Sequence, residues 1–158
     1  MSLKLNYSTS AFRVCVDDLN DHFLSGRIAS QRLTELIPFS DANHLISQLD
    51  AAMDTQQFPK AFQKLRTFSD SNTPEFPQDI PVAMSADEMM PEEHISTLHG
   101  KKATFLLCIT MRRNASWQGV VDWLDGSPRQ TFSSTLEFLN SLDQHLIIWA
   151  AAGQSPSK

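Results

Sequence analysis

The chain has 158 residues, 41% of them apolar and 20% charged, with a formal net charge of −5. That size and balance fit one soluble globular domain, large enough to bury a core that needs no metal or disulfide staple. The negative balance excludes a global basic field for nucleic acid, and no run of about 18 uncharged apolar residues offers a membrane span, so a soluble, cytoplasmic chain is expected.

In chain order, residues 1–11 read as a polar lead-in, and Phe12 to Val16 alternate as a strand that Asp17, Asp18, Asn20 and Asp21 should break. Phe23 to Leu33 is a second strand, with Gly26 at a bulge or a close approach. Leu36 to Phe39 can pair at an edge, where the missing N–H of Pro38 costs nothing. Ser40 is an N-cap with Asp41 just inside, and Leu45, Ile46, Leu49, Ala52 and Met53 recur at helical spacing. Phe58 to Phe68 is expected to form a short helix with Pro59 in its first turn.

Residues 69–100 then carry seven acidic side chains, four prolines and no Lys or Arg, which predicts a long loop or partly disordered insert. Met84, Met89 and Met90 could dock it on the core. Ala103 to Met111 is apolar on both faces, as a central strand covered on both sides would be. Ser116 to Leu124 is its hairpin partner, Asp125 to Pro128 a turn, and Gln130 to Phe132 a short strand. A final helix, capped by Ser133 or Ser134 with Glu137 closing a capping box, follows to about Gly153.

Sliding residues 12–53 along the chain by 93 aligns seven identities without a gap: Phe12/Phe105, Cys15/Cys108, Gly26/Gly119, Phe39/Phe132, Ser40/Ser133, Leu49/Leu142 and Asp50/Asp143. The expected architecture is therefore α+β, a pseudo-twofold duplication of a strand–strand–short strand–helix unit with an antiparallel sheet against helices. The units are 12–68 and 103–152, joined through 69–100 in one domain.

Cys15 and Cys108 lie in apolar runs, as small buried hydrophobes do. His94 and His99 beside Glu92 and Glu93 match no zinc spacing, and Asp17, Asp18, Asp21 and His22 read as a solvated turn. Arg27 and Arg32, five residues apart on one strand, should point to opposite faces and form no single clamp. No nucleophile elbow, phosphate-binding loop or paired-histidine motif occurs, so no catalytic residue, metal or cofactor is nominated. The candidate ligand- or partner-binding residues are Arg112, Arg113, Asn114, Ser116, Trp117 and Trp123. Trp117 and Trp123 share a face by strand periodicity; covered, they are core, and open, they form an aromatic patch beside arginines that suits a partner.

Asn114-x-Ser116-x-x-Gly119 resembles half of the PilZ motif, which implies a cyclic dinucleotide whose phosphates Arg112 and Arg113 could grip. The upstream Arg-x-x-x-Arg of that motif is absent. The segments Gly26-Arg27 through Arg32-Leu33, Phe58 to Gln63 with Arg66 and Phe68, Asn114 to Gly119, Trp123-Leu124 and Phe132 through Glu137 resemble a family of small uncharacterised bacterial proteins. That resemblance implies a recurring fold and no chemistry. The leading expectation is a non-enzymatic binding or regulatory module that acts through protein contacts as a homo-oligomer; the alternative is a sensor of a small anionic ligand.

Overall fold

A computed structural model of the chain describes residues 10–19, 24–56, 58–59, 61–62, 80–113 and 116–153. Phe12–Leu19 (β1), Leu24–Ala29 (β2) and Ile37–Phe39 (β3) form three strands that bury Phe12, Val14, Val16, Ile28, Ile37 and Phe39. Helix Ala42–Gln56 (α1) covers them with Leu45, Leu49, Ala52 and Met53. After Ala61–Phe62 (β4) and the short helix Glu92–Ser96 (α2), the order repeats: Ala103–Arg113 (β5), Gln118–Asp122 (β6), Gln130–Phe132 (β7) and helix Thr135–Gly153 (α3).

The strands lie in the order β3-β2-β1-β5-β6-β7, each neighbouring pair antiparallel. The fold is α+β, as its sequence pattern predicts. Both units feed one core, in which Trp123 packs between Phe105 at 5.2 Å, His145 at 3.9 Å and Trp149 at 5.7 Å.

The two halves share their registers at the spacing of 93. Val16 faces Gly26 and Ile109 faces Gly119; Gly26 faces Phe39 and Gly119 faces Phe132. The same irregularity recurs, between Val16 and Asp18 in β1 and between Ile109 and Met111 in β5. Both glycines are required by a backbone approach, because a Cβ at Gly26 would lie 1.9 Å from the Cys15 carbonyl oxygen and one at Gly119 2.1 Å from that of Cys108.

Helix starts match as well. His44 N–H donates to Asp41 Oδ1 at 2.8 Å while Ser40 N–H donates to His44 Nδ1 at 3.0 Å. Glu137 N–H donates to Ser134 Oγ at 3.0 Å and Ser133 N–H to Glu137 Oε1 at 2.8 Å. These are reciprocal capping boxes at equivalent positions. The expected box of α3 is present; in α1 the cap is Asp41, not Ser40, because its carboxylate reaches the third N–H of the helix.

Further expectations need correction. Phe58, Pro59, Ala61 and Phe62 are not helical: the Phe58–Pro59 peptide is cis, and Ala61 and Phe62 pair in parallel with Arg112 and Arg113. The β1 pairing stops at Leu107, so the rest of that edge of β5 is open for β4. Residues 63–68 of that expected helix lie outside the described residues.

The expected loose insert is ordered over residues 80–100, residues 69–79 lying outside the described residues. Its backbone pairs with the segment after β2: Thr34 N–H donates to Pro81 O and Ala83 N–H to Arg32 O, both at 2.9 Å, and Met90 N–H donates to Gln31 O at 3.1 Å. Val82, Ala83 and Ile95 are its buried anchors, while Met84 is exposed. Its end crosses β1 and β2, where Arg13 Nε donates to Leu98 O at 2.7 Å and Arg27 Nη2 to His99 O at 3.0 Å. Asp17, expected in a turn, lies within β1 and forms a bidentate pair with Arg27 at 2.8 and 3.1 Å.

Candidate functional site

The end of β5 turns Arg112 inward, below the C-terminal half of α1. Its guanidinium is 5% exposed and donates to Pro59 O at 2.8 Å and Asp54 Oδ1 at 2.7 Å, with Asp50 Oδ1 at 3.6 Å. Nη2 is buried without a hydrogen-bond partner. Arg113, the next residue, points to solvent, and its backbone N–H donates to Gln118 Oε1 at 2.9 Å. Asn114 lies outside the described residues.

Ser116 joins the hairpin to α3: its Oγ accepts Thr135 N–H at 2.8 Å, and Thr135 Oγ1 accepts Trp117 N–H at 3.0 Å. Trp117 is 3% exposed and donates from Nε1 to Asp50 Oδ1 at 2.9 Å. Trp123 is fully buried, stacks on His145 and donates from Nε1 to Gln130 Oε1. The indoles thus belong to the core and supply no exposed aromatic patch. Arg112, Ser116 and Trp117 are brought near the join of hairpin and helices, where each already has an intramolecular partner.

Sequence reasoning missed the group beside Arg112. Arg32 is 1% exposed, with its guanidinium 5.0 Å from the Phe12 ring centre. It donates to Gln56 Oε1 at 2.7 Å, to Ser10 O at 3.5 Å and to Phe58 O, all neutral acceptors. Burial, and then the charge of Arg112, lower its pKa to about 9, which leaves it protonated at neutral pH. Two guanidinium groups therefore hold the successive carbonyls of Phe58 and Pro59 just after α1. The two arginines do not share one strand as expected: β2 ends at Ala29 and Arg32 lies in the turn after it, and nothing in the spacing distinguishes a buried arginine from an exposed one.

This cluster is poorly suited to an anionic ligand, since Asp50 and Asp54 already face Arg112. Burial first raises the Asp50 carboxyl above its ordinary value, against the lowering effects of the Trp117 hydrogen bond and the Arg112 charge. Burial likewise raises both thiols, Cys15 and Cys108, away from the reactive thiolate. A groove of about 260 Å³ beside β3, between Glu35 to Pro38, Gln48 and Ile80-Pro81, presents no nucleophile–base pair. Among the described residues no cluster of three His, Cys, Asp or Glu could hold a metal, and no helix is long and apolar enough to cross a membrane.

The two units differ on the outer faces of their helices. Asn43, Asp54 and Thr55 are exposed on α1. At the equivalent positions of α3 stand Leu136, Ile147 and Ile148, exposed by 66%, 55% and 57%. The buried positions match instead: Leu45, Leu49 and Met53 correspond to Phe138, Leu142 and Leu146. The fold accepts polar groups at the three outer positions, Asp54 also taking the Arg112 guanidinium, so packing among the described residues does not account for the apolar residues there. Compared with family models, with curated proteins and with solved structures, the chain matches none.

Proposed function

We propose that the chain is a non-enzymatic binding module that acts through protein contacts, with the outer face of α3 as its contact surface. The observation that carries this reading is the substitution of Leu136, Ile147 and Ile148 for Asn43, Asp54 and Thr55 on an otherwise equivalent helix. Exposed apolar side chains gathered on one element gain free energy when a partner removes them from water. Arg112, Trp117 and Trp123 serve the interior and leave that role to the helix. We further propose that the two units arose by duplication, which the common registers at a spacing of 93 support, and that the second unit acquired its apolar face afterwards.

The test replaces Leu136→Asn, Ile147→Asp and Ile148→Thr together, installing the residues of the first unit. Size-exclusion chromatography with light scattering, on purified protein and on lysate of the producing cells, should show association of the wild-type chain with itself or a partner. The triple variant should run as a folded monomer with a melting temperature at or above that of the wild type. Monomeric wild-type protein in both samples, or association unchanged in the variant, would contradict the reading.

A further inference from the structure

The outermost strands β3 and β7 occupy equivalent places, but only β3 is blocked. In β3, Pro38 has no N–H to offer and its carbonyl accepts Gln48 Nε2 at 3.1 Å. Ile80 and Pro81 line the groove beside Glu35 to Pro38, and Val82 is bridged to Leu33, just before β3. Proline and covering segments are the ordinary means of keeping a sheet edge from pairing.

In β7, Thr131 stands where β3 has Pro38, and it is exposed. The direction of its backbone follows from the shared register, in which Val120 faces Thr131 as Arg27 faces Pro38. Pro38 has no N–H to exchange with Arg27, so the hydrogen-bonded pairs of β2 and β3 are Gly26–Phe39 and Ile28–Ile37, and Gly119–Phe132 and Val121–Gln130 take their places in β6 and β7. Neighbouring residues on a strand direct their N–H and C=O groups to opposite sides. Those of Thr131 therefore face outward, and no strand among the described residues pairs with that edge. Ser141, in the place of Gln48, sends no side chain to it; its carbonyl is 3.0 Å from His145 Nδ1.

We infer that β7 is a self-pairing edge, on which a second copy of this chain adds its own β7 antiparallel about Thr131. The inference rests on the reading of the second unit as the contact side and names the partner. Pairing about Thr131 exchanges two backbone hydrogen bonds between the copies and sets Arg129 opposite Ser133 of the second copy. The N–H of Ser133 is held by the Glu137 carboxylate, so the guanidinium of one copy meets the Glu137 carboxylate of the other, twice by symmetry. Arg129 is available for this, being 75% exposed and only 3.4 Å from Asp122 within its own chain.

The join repeats the one already inside the molecule, where β1 and β5 pair antiparallel and both helices stay on one face of the sheet. Gln48 marks the flank of α1 that faces its sheet edge. The matching flank of α3 carries Ser141 and, two turns on, Ile148, which the second copy's α3 would cover.

Sedimentation equilibrium of the purified full-length chain tests the pairing. The wild type should be a dimer, and Thr131→Pro, which places in β7 the residue that β3 tolerates, should raise the dimer dissociation constant at least tenfold without lowering the melting temperature. Arg129→Glu, an exposed change that sets like charges against the partner's Glu137, should weaken the dimer at least as much, and covers the case in which the proline variant misfolds. A monomeric wild type overturns the inference; if it still binds another protein through α3, the reading of the module survives. A dimer indifferent to both variants but abolished by the triple helix exchange overturns strand pairing alone.

Discussion

Arg13 and Leu106 face one another across the β1–β5 pair, and each is the other's counterpart at the spacing of 93. The neighbouring pairs obey the same exchange: Phe12 faces Leu107 and Val14 faces Phe105, each becoming the other when the halves are swapped. The pseudo-twofold axis of the sheet therefore passes between Arg13 and Leu106. It allows each residue of the second unit to be compared with one that performs the same structural task in the first.

Gly26 and Gly119 provide the most direct test of that equivalence. A Cβ at either would meet a backbone carbonyl, which cannot swing aside as a side chain can. Gly26→Ala and Gly119→Ala should each cost about 1–3 kcal/mol by overpacking, measured by urea denaturation. A loss in one variant and none in the other would show that the two hairpins are not built alike.

Arg112 is expected to be a structural residue. Arg112→Met removes the partner of Asp54 and the donor to Pro59 O, and should destabilise the fold by about 2 kcal/mol, below the usual cost of breaking a buried pair because both carboxylates are partly exposed. Millimolar cyclic dinucleotide should leave the wild-type melting temperature unchanged. A ligand-induced rise that Arg112→Met abolishes would restore the PilZ-like alternative.

Much of this was legible beforehand. Glycine, capping residues and alternating apolar positions act locally, so most of the strands, the two long helices and the register that the two halves share could be read from spacing. Phe58 to Phe62 misled because its helical pattern was overridden by long-range partners, the Arg32 and Arg112 side chains and the open edge of β5. Residues 80–100 misled because their order comes from backbone bonds to Gln31, Arg32 and Thr34, which composition does not record. Strand periodicity puts Trp117 and Trp123 on one face but does not say whether that face is covered, which Asp50 and Gln130 settle by taking their N–H groups in the interior.

The pair between Asp17 and Arg27 governs a pH response. The hydrogen bond from Arg27 is the largest influence holding the Asp17 carboxyl below its ordinary value. A carboxyl depressed in the folded state contributes stability that is complete above its unfolded pKa of about 4 and is lost as pH falls through the folded value. Asp17→Asn should cost about 0.5–1 kcal/mol at neutral pH, since the pair is partly exposed. The two proteins should converge in thermal melts as pH falls through the depressed folded value of Asp17; a difference that persists unchanged in strong acid would remove Asp17 from the acid response.

Site-specific photocrosslinking in the producing cells addresses the contact surface most directly. A photoreactive residue at Ile147 should yield a discrete crosslinked species, and one at Thr55, exposed on α1 and outside the Arg112 pair, should yield none. Equal crosslinking from both positions, or none from Ile147, would contradict the assignment of the α3 face as the place where this protein meets its partner.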